Sequence, residues 1–534
     1  MPALSYTPID GIVKKYEELR NGFKAGKLKS IEYRKYQLLQ LAYMMKENEG
    51  RIAEALKEDL GRPEIESRFI DINPSVGDVL TTYNHVEKWT KPEGTAFDIT
   101  WFLMKPTIYK EPKGTVLVIC PFNYPFYLSI GPIASALAAG CTVMLKPSEA
   151  TPASSALLEE LIAKYLDSDL VTVVNGGIPE TTKVLELRWD HILYTGSGRV
   201  GKIVAAAAAK HLTPVTLELG GKSPVFIDPA CDLELTAQRL YWGKVLNAGQ
   251  TCVAPDYVLV PRTFQATLVD ALKKKHEQFY PDGPKTKDAY ARLVNSTALN
   301  RLKGYLDNTK GKIVVGGEID LEDRYLSPTI VSDVPFGDAL LQEEIFGPIL
   351  PIVPVENVDE ALRYVNEHEH PLALYAFTQD PKYKEKILTN TQSGSIVFNE
   401  QVIQPATEGL PFGGIGASGS GYHTGKFGFD IFTHLRASID SPGIVDRVLA
   451  FRFPPYTAKK LKASNSMGRK LPAKPKGPPS LANPTLAVLG KKQGILGLNK
   501  WFVFALAVAL AVGLTRERGK TATWVGAIAS FFGR

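Results

Sequence analysis

The sequence predicts an α/β protein with a doubly wound parallel sheet and a second α/β region after it. From Thr115 onward, continuous apolar runs of strand length alternate with helical segments, a pattern typical of parallel sheets covered by helices on both faces. A glycine-rich turn at 196–201 follows one such strand and opens a helix, as in nucleotide-binding folds. Hydrophobic residues make up 44% and charged residues 22% of the chain, which excludes wholesale disorder and fibrous repeats.

The chain of 534 residues has room for two or three domains. The first 90 or so residues predict helices, because apolar residues recur at helical spacing through 31–60, and Gly61 marks the end of that helix. Four cysteines without a paired spacing argue against a disulfide scaffold and a cysteine-rich zinc site, and fit a reducing compartment. We expect no secretory signal, since no apolar core follows a basic start at the N-terminus.

The middle of the chain predicts the sheet elements in order. TVLVICPFNYP, IGPIASALAAG and CTVMLKPSEA form a strand, helix and strand, which is a βαβ unit, and the alternation continues to about residue 212. A second set of strands is predicted between 221 and 395, in PVFID, YVLVP, KIVVGG, PTIV, PILPIVPV, ALYAFT and SGSIVFN. Two such α/β layers would leave a cleft between them. Segment 97–113 alternates as a protruding β-ribbon would, and either a subunit contact or a surface hairpin fits it.

The charge is unevenly distributed along the chain. The net charge is +6, yet thirteen Lys or Arg and no acid lie between Arg447 and Arg516. Residues 517–534 add a net +2, which leaves residues 1–446 at −9. A basic, Pro-rich tail that leads into apolar sequence favours an anionic membrane surface over nucleic acid as its partner. A solvated linker is the alternative.

The apolar part of the tail is short for a membrane span. Trp501–Leu514 is free of charge for 14 residues, about 21 Å as a helix, against a hydrocarbon core of ~30 Å. Extension back to Ile495 includes Asn499 and Lys500, and a second apolar stretch follows at 521–533. We therefore expect membrane attachment through a tail anchor or a shallow hairpin, with a buried core helix as the alternative.

Gly196, Ser197, Gly198 and Gly201 belong to a literal G-x-G-x-x-G match. Strand-like HILYT precedes the match and a helix follows it, so the glycines would let the backbone and a helix N-terminus approach a pyrophosphate. The same rule places an acid about twenty residues further on to hold a ribose. Glu218 falls near that place.

Glu218 and Cys252 also fit a different chemistry. Glu218 lies in TLELGGKSP, where two glycines after an apolar strand let a carboxylate project into a cleft, and Cys252 lies in the turn-prone NAGQTCVAPDY. A cysteine attacks carbonyl carbons as a thiolate; it needs a donor for the oxyanion and a base that activates water when a thioester is hydrolysed. Glu218 can be that base. The other cysteines, Cys120, Cys141 and Cys231, fit small core positions.

Seven motifs in order make the chain resemble the aldehyde dehydrogenase superfamily, and within it the class 3 or fatty aldehyde branch. They are PFNYP, KPSE, YTGSGRVG, LELGGKSP, GQTCVAPDY, EEIFGP and PFGGIGASG, and the similarity covers about residues 5–440. GYHTGKFGFDIFTH beyond them is also similar to class 3. The Lys-rich, apolar C-terminus resembles the membrane-bound members, whose fungal relatives include an apocarotenal dehydrogenase.

The resemblance implies roles for the residues that match these motifs. Cys252 would be the nucleophile, its backbone N–H and Asn123 would form the oxyanion hole, and Glu218 would be the general base, which displaces its ribose role. The cofactor would be NAD, with NADP as the alternative, and Lys146 and Glu149 would hold the adenosine ribose. The other implied cofactor contacts are Gly196, Ser197, Gly198, Gly201, Glu344 and Phe346. At Gly198 the turn departs from the family, where a bulkier residue is usual.

The resemblance implies oxidation of an aldehyde to an acid through a thiohemiacetal and a thioester on Cys252, without a metal. His368 and His370 fit a solvated helix end, and His423 fits a turn among glycines. The favoured substrates are long, apolar fatty aldehydes, because an enzyme held at a lipid surface meets substrates dissolved in lipid. Apocarotenals and small soluble aldehydes are the alternatives. A catalytically inactive tethering protein is a third class, which the intact catalytic set disfavours.

Together these observations predict five regions, a quaternary structure and a location. The regions are 1–220 (NAD-binding, with the ribbon at about 97–113), 221–395 (catalytic), 396–453 (return to the NAD domain and oligomerisation arm), 454–494 (basic, Pro-rich linker) and 495–534 (membrane-anchoring tail). We expect a homodimer that binds no nucleic acid. Its tail would anchor it to the endoplasmic reticulum, lipid droplets or the mitochondrial outer membrane, with the catalytic domain facing the cytosol.

Replacing Cys252 with Ala is expected to abolish NADH production and to leave cofactor binding nearly intact, because the covalent intermediate needs the thiolate and the cofactor contacts lie on other residues. NADH absorbance measures the first quantity, and calorimetric titration with NAD measures the second. Turnover within about tenfold of the parent enzyme would show that another group is the nucleophile.

Overall fold

Helices form the N-terminal part of the chain and cover two sheets in the computed structural model, which describes residues 3–286, 288–468 and 471–478. The α-helices are α1 (Ile9–Ala25), α2 (Ile31–Glu47), α3 (Glu49–Leu60), α4 (Glu64–Ser67), α5 (Asn73–Trp89), α6 (Tyr127–Ala139), α7 (Pro152–Tyr165), α8 (Ile178–Glu186), α9 (Gly198–Ala209), α10 (Leu233–Val245), α11 (Gln265–Phe279), α12 (Ser296–Asn308), α13 (Val358–Asn366), α14 (Pro381–Asn390), α15 (Gly425–Ile431), α16 (Val445–Val448) and α17 (Ala458–Ser466).

The strands fall into two large sheets and two small ones. They are β1 (Glu93–Gly94), β2 (Thr107–Pro112), β3 (Thr115–Ile119), β4 (Thr142–Lys146), β5 (Val171–Val173), β6 (His191–Thr195), β7 (Val215–Glu218), β8 (Pro224–Ile227), β9 (Tyr257–Pro261), β10 (Lys312–Val315), β11 (Ile319–Asp320), β12 (Tyr325–Leu326), β13 (Thr329–Ser332), β14 (Ile349–Val355), β15 (Ala373–Phe377), β16 (Ser395–Phe398), β17 (Gly419–Ser420) and β18 (Thr433–Ser438).

The N-terminal helices confirm the prediction made from the helical spacing of apolar residues in the sequence. The Ser30 side chain accepts a hydrogen bond from the Tyr33 N–H at 3.1 Å and caps α2. Helix α3 ends at Leu60, and Gly61 follows in the left-handed conformation that closes a helix. Helix α2 packs against α5, and α5 packs against α6 on the first sheet.

The first sheet has the strand order β17-β7-β6-β3-β4-β5. All of its neighbouring strands are parallel except β17, which runs antiparallel to β7 and pairs Gly419 with Glu218. Strands β3 and β4 are buried along their whole length, as expected of parallel strands covered on both faces. The doubly wound sheet predicted from the sequence is therefore confirmed. Its carboxyl edge carries Lys146, Thr195 and Glu218 as the last residues of three strands.

The second sheet has the order β10-β13-β14-β9-β8-β15-β16, with only β10 antiparallel to its neighbour. Its seven strands coincide with the seven predicted from apolar runs in the second half of the chain. The buried side chains of β8, β9, β14 and β15 join those of α10 and α11 in one continuous core. The predicted second α/β region is therefore present, while the residue boundaries of the five regions stay predictions.

The predicted β-ribbon is shorter than the segment 97–113. Only Thr107–Pro112 is a strand there; it lies in a three-stranded sheet between β1 and β18 and pairs along all six residues with β18. Residues before it form a turn, in which the N–H groups of Trp101 and Phe102 both donate to the Asp98 carbonyl. This local hydrogen bonding replaces the extended backbone that the apolar alternation suggested.

The chain from Met1 to Gly468 forms one compact unit. Within the predicted linker at 454–494, residues Ala458–Ser466 are helical. No helix in the described parts of the chain is long and apolar enough to cross a bilayer. The predicted membrane-anchoring tail at 495–534 lies outside the described residues.

Candidate active site

The glycine-rich turn lies at the carboxyl end of β6. The Gly196 N–H donates to the Glu218 carbonyl at 3.0 Å, which ties the turn to the end of β7. The Ser197 hydroxyl accepts from the Val200 N–H at 3.4 Å and caps α9. A Cβ on Gly201 would lie 2.9 Å from a methyl carbon of Leu219, so glycine allows α9 to pack this closely. The N-terminus of a twelve-residue helix is thereby held at the sheet edge, where such folds bind a pyrophosphate.

Gly198 is the first residue of α9. A Cβ there would meet no other atom within 4 Å. The small residue at this position therefore leaves open space at the turn, which a bulkier residue would fill.

Lys146 and Glu149 lie on the same edge of the first sheet. Lys146 ends β4 and is buried, and its Nζ lies 3.1 Å from Glu149 Oε2 and 3.0 Å from the Pro147 carbonyl oxygen. Strand β3 separates β4 from β6, so this pair and the glycine-rich turn lie two strands apart. That separation along the carboxyl edge suits the two halves of a dinucleotide.

Two buried polar side chains at this edge have no hydrogen-bond partner in the described structure. They are Thr195, through Oγ1, and Glu218, through both carboxyl oxygens. The two residues are paired in register at the ends of β6 and β7. Burial raises the pKa of Glu218 well above its usual range. Buried polar groups are normally hydrogen-bonded, so this pair marks a place built to receive a ligand or water.

The loop before Cys252 has a strained backbone. Asn247 and Ala248 both have φ of 52°, and Gly249 has φ of 70°. A Cβ on Gly249 would lie 2.3 Å from the Gly347 carbonyl oxygen, so only glycine permits this approach. The cysteine loop therefore packs directly against the segment that contains Glu344 and Phe346.

Cys252, Glu218 and Glu344 share one electrostatic environment. Burial, and after it the neighbouring carboxyls of Glu344 and Glu218, raises the pKa of the Cys252 thiol to about 12. Burial and the nearby Asp256 raise the pKa of Glu344 to about 8, although its carboxyl accepts a hydrogen bond from the Gly221 N–H. The structure thus brings together the predicted nucleophile, the predicted base and one predicted cofactor contact, and burial disfavours the charged form of each.

Three charged side chains hold the segment 343–346. Lys222 Nζ donates to the Glu343 carbonyl at 2.9 Å, and Asp256 Oδ1 accepts from the Ile345 N–H at 2.9 Å. Arg301 donates to the carbonyl oxygens of Glu344 and Ile345 at 3.1 and 2.7 Å. Lys222 and Asp256 also pair with each other. Backbone groups of this segment are therefore fixed from two sides, which positions the side chains of Glu344 and Phe346.

Asn123 lies in the loop after β3 and is buried. Its carbonyl oxygen accepts from Asn247 Nδ2 at 3.0 Å and also from the Arg62 guanidinium. The Phe346 ring meets the neighbouring Phe122 edge-on, with ring centroids 5.8 Å apart. These contacts join the loop of Asn123 to the cysteine loop and to the segment 343–346.

Arg62 is the fully buried centre of this network. Its guanidinium donates to Asp71 Oδ2 at 2.9 Å and to Asn247 Oδ1 at 3.0 and 3.1 Å. Asp71 in turn accepts from the Tyr127 N–H at 2.5 Å, at the first residue of α6. Burial raises the pKa of Asp71, and the Arg62 charge opposes this rise. Sequence analysis missed Arg62, because an arginine after a helix-ending glycine is usually a solvated residue.

The histidines take the places expected of structural residues. His368 follows α13, is exposed, and its Nδ1 lies 2.6 Å from the Tyr364 carbonyl oxygen. His423 is buried and pairs its backbone with Phe412, and burial lowers its pKa to about 4. Across the described ranges, no group of three or more potential metal ligands is gathered in one place.

Comparison with known proteins identifies the class of protein. The model of the aldehyde dehydrogenase family matches residues 10–438, and the chain belongs to that family. Rat aldehyde dehydrogenase family 3 member B1 is 43% identical over 455 residues, 85% of this chain and 97% of that protein. The rat "Aldehyde dehydrogenase, dimeric NADP-preferring" is 43% identical over 440 residues, 82% of this chain and 97% of that protein. A substrate-bound structure of Staphylococcus aureus AldH has a TM-score of 0.83 at 38% identity, covering 85% of this chain and 99% of that one.

Family membership makes the chain an oxidoreductase that oxidises aldehydes with NAD or NADP. The predicted family, its class 3 branch, the fold and the cofactor class are confirmed. The residues at the carboxyl edge fit the cofactor, because the capped N-terminus of α9, the Lys146–Glu149 pair and the unpartnered Thr195 and Glu218 line one edge. The roles of individual site residues stay predictions.

Changing Glu218 to Gln is expected to give a burst of NADH roughly equal to the active sites, followed by a slow steady state, because the thioester would form but its hydrolysis would lack a base. Burial raises the pKa of Glu218, so the carboxylate fraction and the parent's steady rate should rise with pH. Stopped-flow absorbance across pH measures both effects. A variant altered only in cofactor affinity would instead support the ribose role.

Replacing Arg62 with Met is expected to lower both stability and kcat, since it leaves Asp71 buried without its counter-ion, at a cost of about 3–5 kcal/mol. The double variant Arg62→Met/Asp71→Asn removes that charge and should recover most of the thermal stability. Its kcat should stay low, because Asn247 Oδ1 loses its donor and the Asn123 carbonyl keeps only Asn247 Nδ2 as a donor. Recovery of kcat together with the melting temperature would mean that Arg62 serves stability alone.

Proposed function

We propose that this enzyme oxidises long, apolar aldehydes of the fatty type to carboxylic acids, with Cys252 as the nucleophile. The observation that carries the proposal is the convergence of the Cys252 thiol with the Glu218 and Glu344 carboxyls at the sheet edge. A buried carboxyl with no partner is suited to take a proton from water, and a thiol beside it is suited to hold an acyl group.

The proposed reaction has two stages. The deprotonated sulfur of Cys252 bonds to the aldehyde carbon, and the Asn123 side-chain amide and the Cys252 N–H stabilise the resulting oxyanion. When bound, the oxidised nicotinamide would supply the hydride acceptor, so that loss of a hydride from the former aldehyde carbon re-forms its C=O bond and leaves a thioester on Cys252. Water then attacks the thioester carbon, Glu218 takes a proton from that water, and the C–S bond breaks to release the acid and restore the thiolate.

The segment 402–410 lies close to Cys252, and this position supports the proposal of an apolar substrate. The Tyr375 hydroxyl donates to the carbonyl of Val253, the residue after Cys252, at 2.5 Å, and accepts from Gln404 Nε2 at 3.0 Å. Tyr375 is buried, so it forms a fixed bridge between the cysteine loop and this segment.

Apolar side chains on this segment remain exposed beside the bridge. Ile403 is 42% and Leu410 is 50% exposed. The Tyr127 hydroxyl donates to the Pro405 carbonyl at 3.3 Å and fixes the segment from its other side. A hydrocarbon chain that leaves the nucleophile along this segment would remove apolar surface from water. This arrangement favours long-chain aldehydes over small polar ones.

We also propose that the tail attaches the enzyme to a membrane and that the enzyme is a homodimer. The basic run from Arg447 to Arg516 and the apolar stretches after residue 495 suit attachment to an anionic membrane, with the catalytic body on the cytosolic side. A homodimer is proposed because a 43% identical rat relative is named dimeric. The membrane would be that of the endoplasmic reticulum, a lipid droplet or the outer mitochondrion.

An aldehyde series tests the substrate class. Initial rates of NADH and NADPH formation would be measured with hexanal, hexadecanal and an apocarotenal. We expect kcat/KM to rise at least about tenfold from hexanal to hexadecanal, because each buried CH2 contributes about 0.8 kcal/mol. The variant Ile403→Ser/Leu410→Ser should lose more kcat/KM for hexadecanal than for hexanal, whereas Leu212→Ser, at a 91% exposed site, should change neither. A preference for hexanal would contradict the proposal, and one for the apocarotenal would select the carotenoid alternative.

A further inference from the structure

The cysteine loop reaches Cys252 through three consecutive residues with a left-handed backbone. Asn247, Ala248 and Gly249 have φ of 52°, 52° and 70°. Asparagine and glycine adopt this conformation more readily than alanine, whose Cβ crowds the following carbonyl oxygen. Because such a backbone persists only where its surroundings hold it, the contacts of these residues fix the path of the loop to Cys252.

Asn247 makes contacts that hold this path. Its Oδ1 accepts from Arg62 at 3.0 and 3.1 Å, and its Nδ2 donates to the carbonyl oxygens of Asn123 and Gln250 at 3.0 and 3.2 Å. Its own carbonyl accepts from the Gln250 N–H and from Gln250 Nε2, each at 3.1 Å. These bonds fix the side chain and the carbonyl of Asn247, and its N–H is the polar group that remains.

The Asn247 N–H donates to Glu66. The donor nitrogen lies 3.0 Å from Glu66 Oε2. Glu66 belongs to α4, and three residues further on the Phe69 ring meets the Trp242 ring edge-on, with centroids 6.3 Å apart. Trp242 belongs to α10, which leads directly into the cysteine loop. A ring contact beside the hydrogen bond therefore also holds the chain that carries Glu66 against this part of the fold.

Glu66 shares its nearby cation with a second acid. The Arg62 guanidinium, which lies near Glu66, is also the partner of Asp71. Burial raises the pKa of Glu66 to about 7, and the Asn247 N–H and the Arg62 charge oppose this rise. The other titratable groups that respond to the Glu66 charge are tyrosines, which burial keeps neutral: Tyr124, Tyr280 and Tyr290.

We propose that Glu66 is a positioning residue for aldehyde oxidation: its carboxyl holds the Asn247 N–H, and through it the cysteine loop, in the geometry that presents Cys252 to the aldehyde. This inference rests on the proposed role of Cys252 as the nucleophile. Asn247 is fully buried, so without the carboxyl its N–H would lack an acceptor. The loop would then lose a contact that offsets its left-handed backbone, and other paths of the loop would become populated.

The hold of Glu66 on the loop is expected to strengthen as the pH rises. An ionised carboxylate accepts a stronger hydrogen bond than a neutral carboxyl group does. Since the pKa of Glu66 is about 7, its charged form gains in population as the pH rises through neutrality. The position of Cys252 should therefore become better defined over that range, in addition to any effect of the titration of Cys252 and Glu218.

Glu64 provides the matched control on the same helix. Its side chain is 65% exposed and pairs with Arg68 at 2.8 Å. A surface ion pair of this kind contributes little to stability. Glu64→Gln therefore removes a carboxylate from α4 whose described partner is Arg68 and not the cysteine loop.

Three variants of the full chain test the proposal: Glu66→Gln, Glu66→Met and Glu64→Gln. NADH formation would be followed in single turnovers across neutral pH, with enzyme and NAD in excess over hexanal. Calorimetric titration with NAD counts the folded sites in each preparation. Alkylation of Cys252 by iodoacetamide, followed by mass spectrometry of its peptide, reports the position of the thiol without any turnover.

We expect Glu66→Met to form NADH about tenfold more slowly per site, because it keeps a side chain of similar length but leaves the Asn247 N–H without an acceptor. Glu66→Gln keeps an acceptor oxygen and cannot ionise. The ratio of the parent's rate to that of Glu66→Gln should therefore rise about fivefold from acid to alkaline pH, since Cys252 and Glu218 are present in both proteins. The ratio of alkylation rates should change over the same range. Glu64→Gln should match the parent at every pH.

The role of Glu66 is refuted if neither ratio of parent to Glu66→Gln changes with pH. It is also refuted if Glu66→Met forms NADH as fast as the parent, or if its loss disappears when rates are expressed per NAD-binding site, which would mean that Glu66 serves stability alone. A parent that forms no NADH from hexanal would contradict the proposed function instead. The pH dependence of Cys252 alkylation would then still decide whether Glu66 holds the loop.

Discussion

The buried guanidinium of Arg62 is the constraint on which the candidate site depends. It forms an ion pair with Asp71 and donates hydrogen bonds to Asn123 and Asn247. These two asparagines lie in loops that belong to different parts of the fold. A buried ion pair adds little net stability, and losing one partner is costly. The pair therefore acts mainly through geometry: the loop after the first sheet and the cysteine loop cannot shift relative to each other without leaving a buried charge unpaired.

The same exclusion of water sets the charge state of the site. Burial raises the pKa of Cys252, Glu218 and Glu344, so the charged form of each is disfavoured in the protein alone. Their mutual repulsion, which would push the loops apart, is thereby avoided. A thiol is also less easily oxidised than a thiolate, because oxidants react with the thiolate.

The sequence predicts most of the framework and only part of the site. The inner strands of both large sheets, such as β3, β4, β8 and β15, are buried on two faces and therefore appear in the sequence as unbroken apolar runs. Cys252 and Glu218 stand out through flanking glycines. Arg62, Lys222 and Arg301 gave no such signal, because only the fold brings them together with their partners, which include side chains as well as backbone carbonyls. At 97–103, apolar alternation suggested a strand, but a turn satisfies the backbone and leaves the apolar side chains in solvent.

The six-stranded sheet and the three-stranded sheet are each completed by a strand from late in the chain, β17 and β18. Gly419–Ser420 borders β7 beside Glu218, and Thr433–Ser438 pairs with a strand more than three hundred residues earlier. A ribosome must therefore release almost the whole globular part before either sheet is complete. Until then the edge of β7 is open, and an open edge of a parallel sheet readily joins other strands. The side of β7 that carries Glu218 therefore stays unpaired until residues 419–420 have been made.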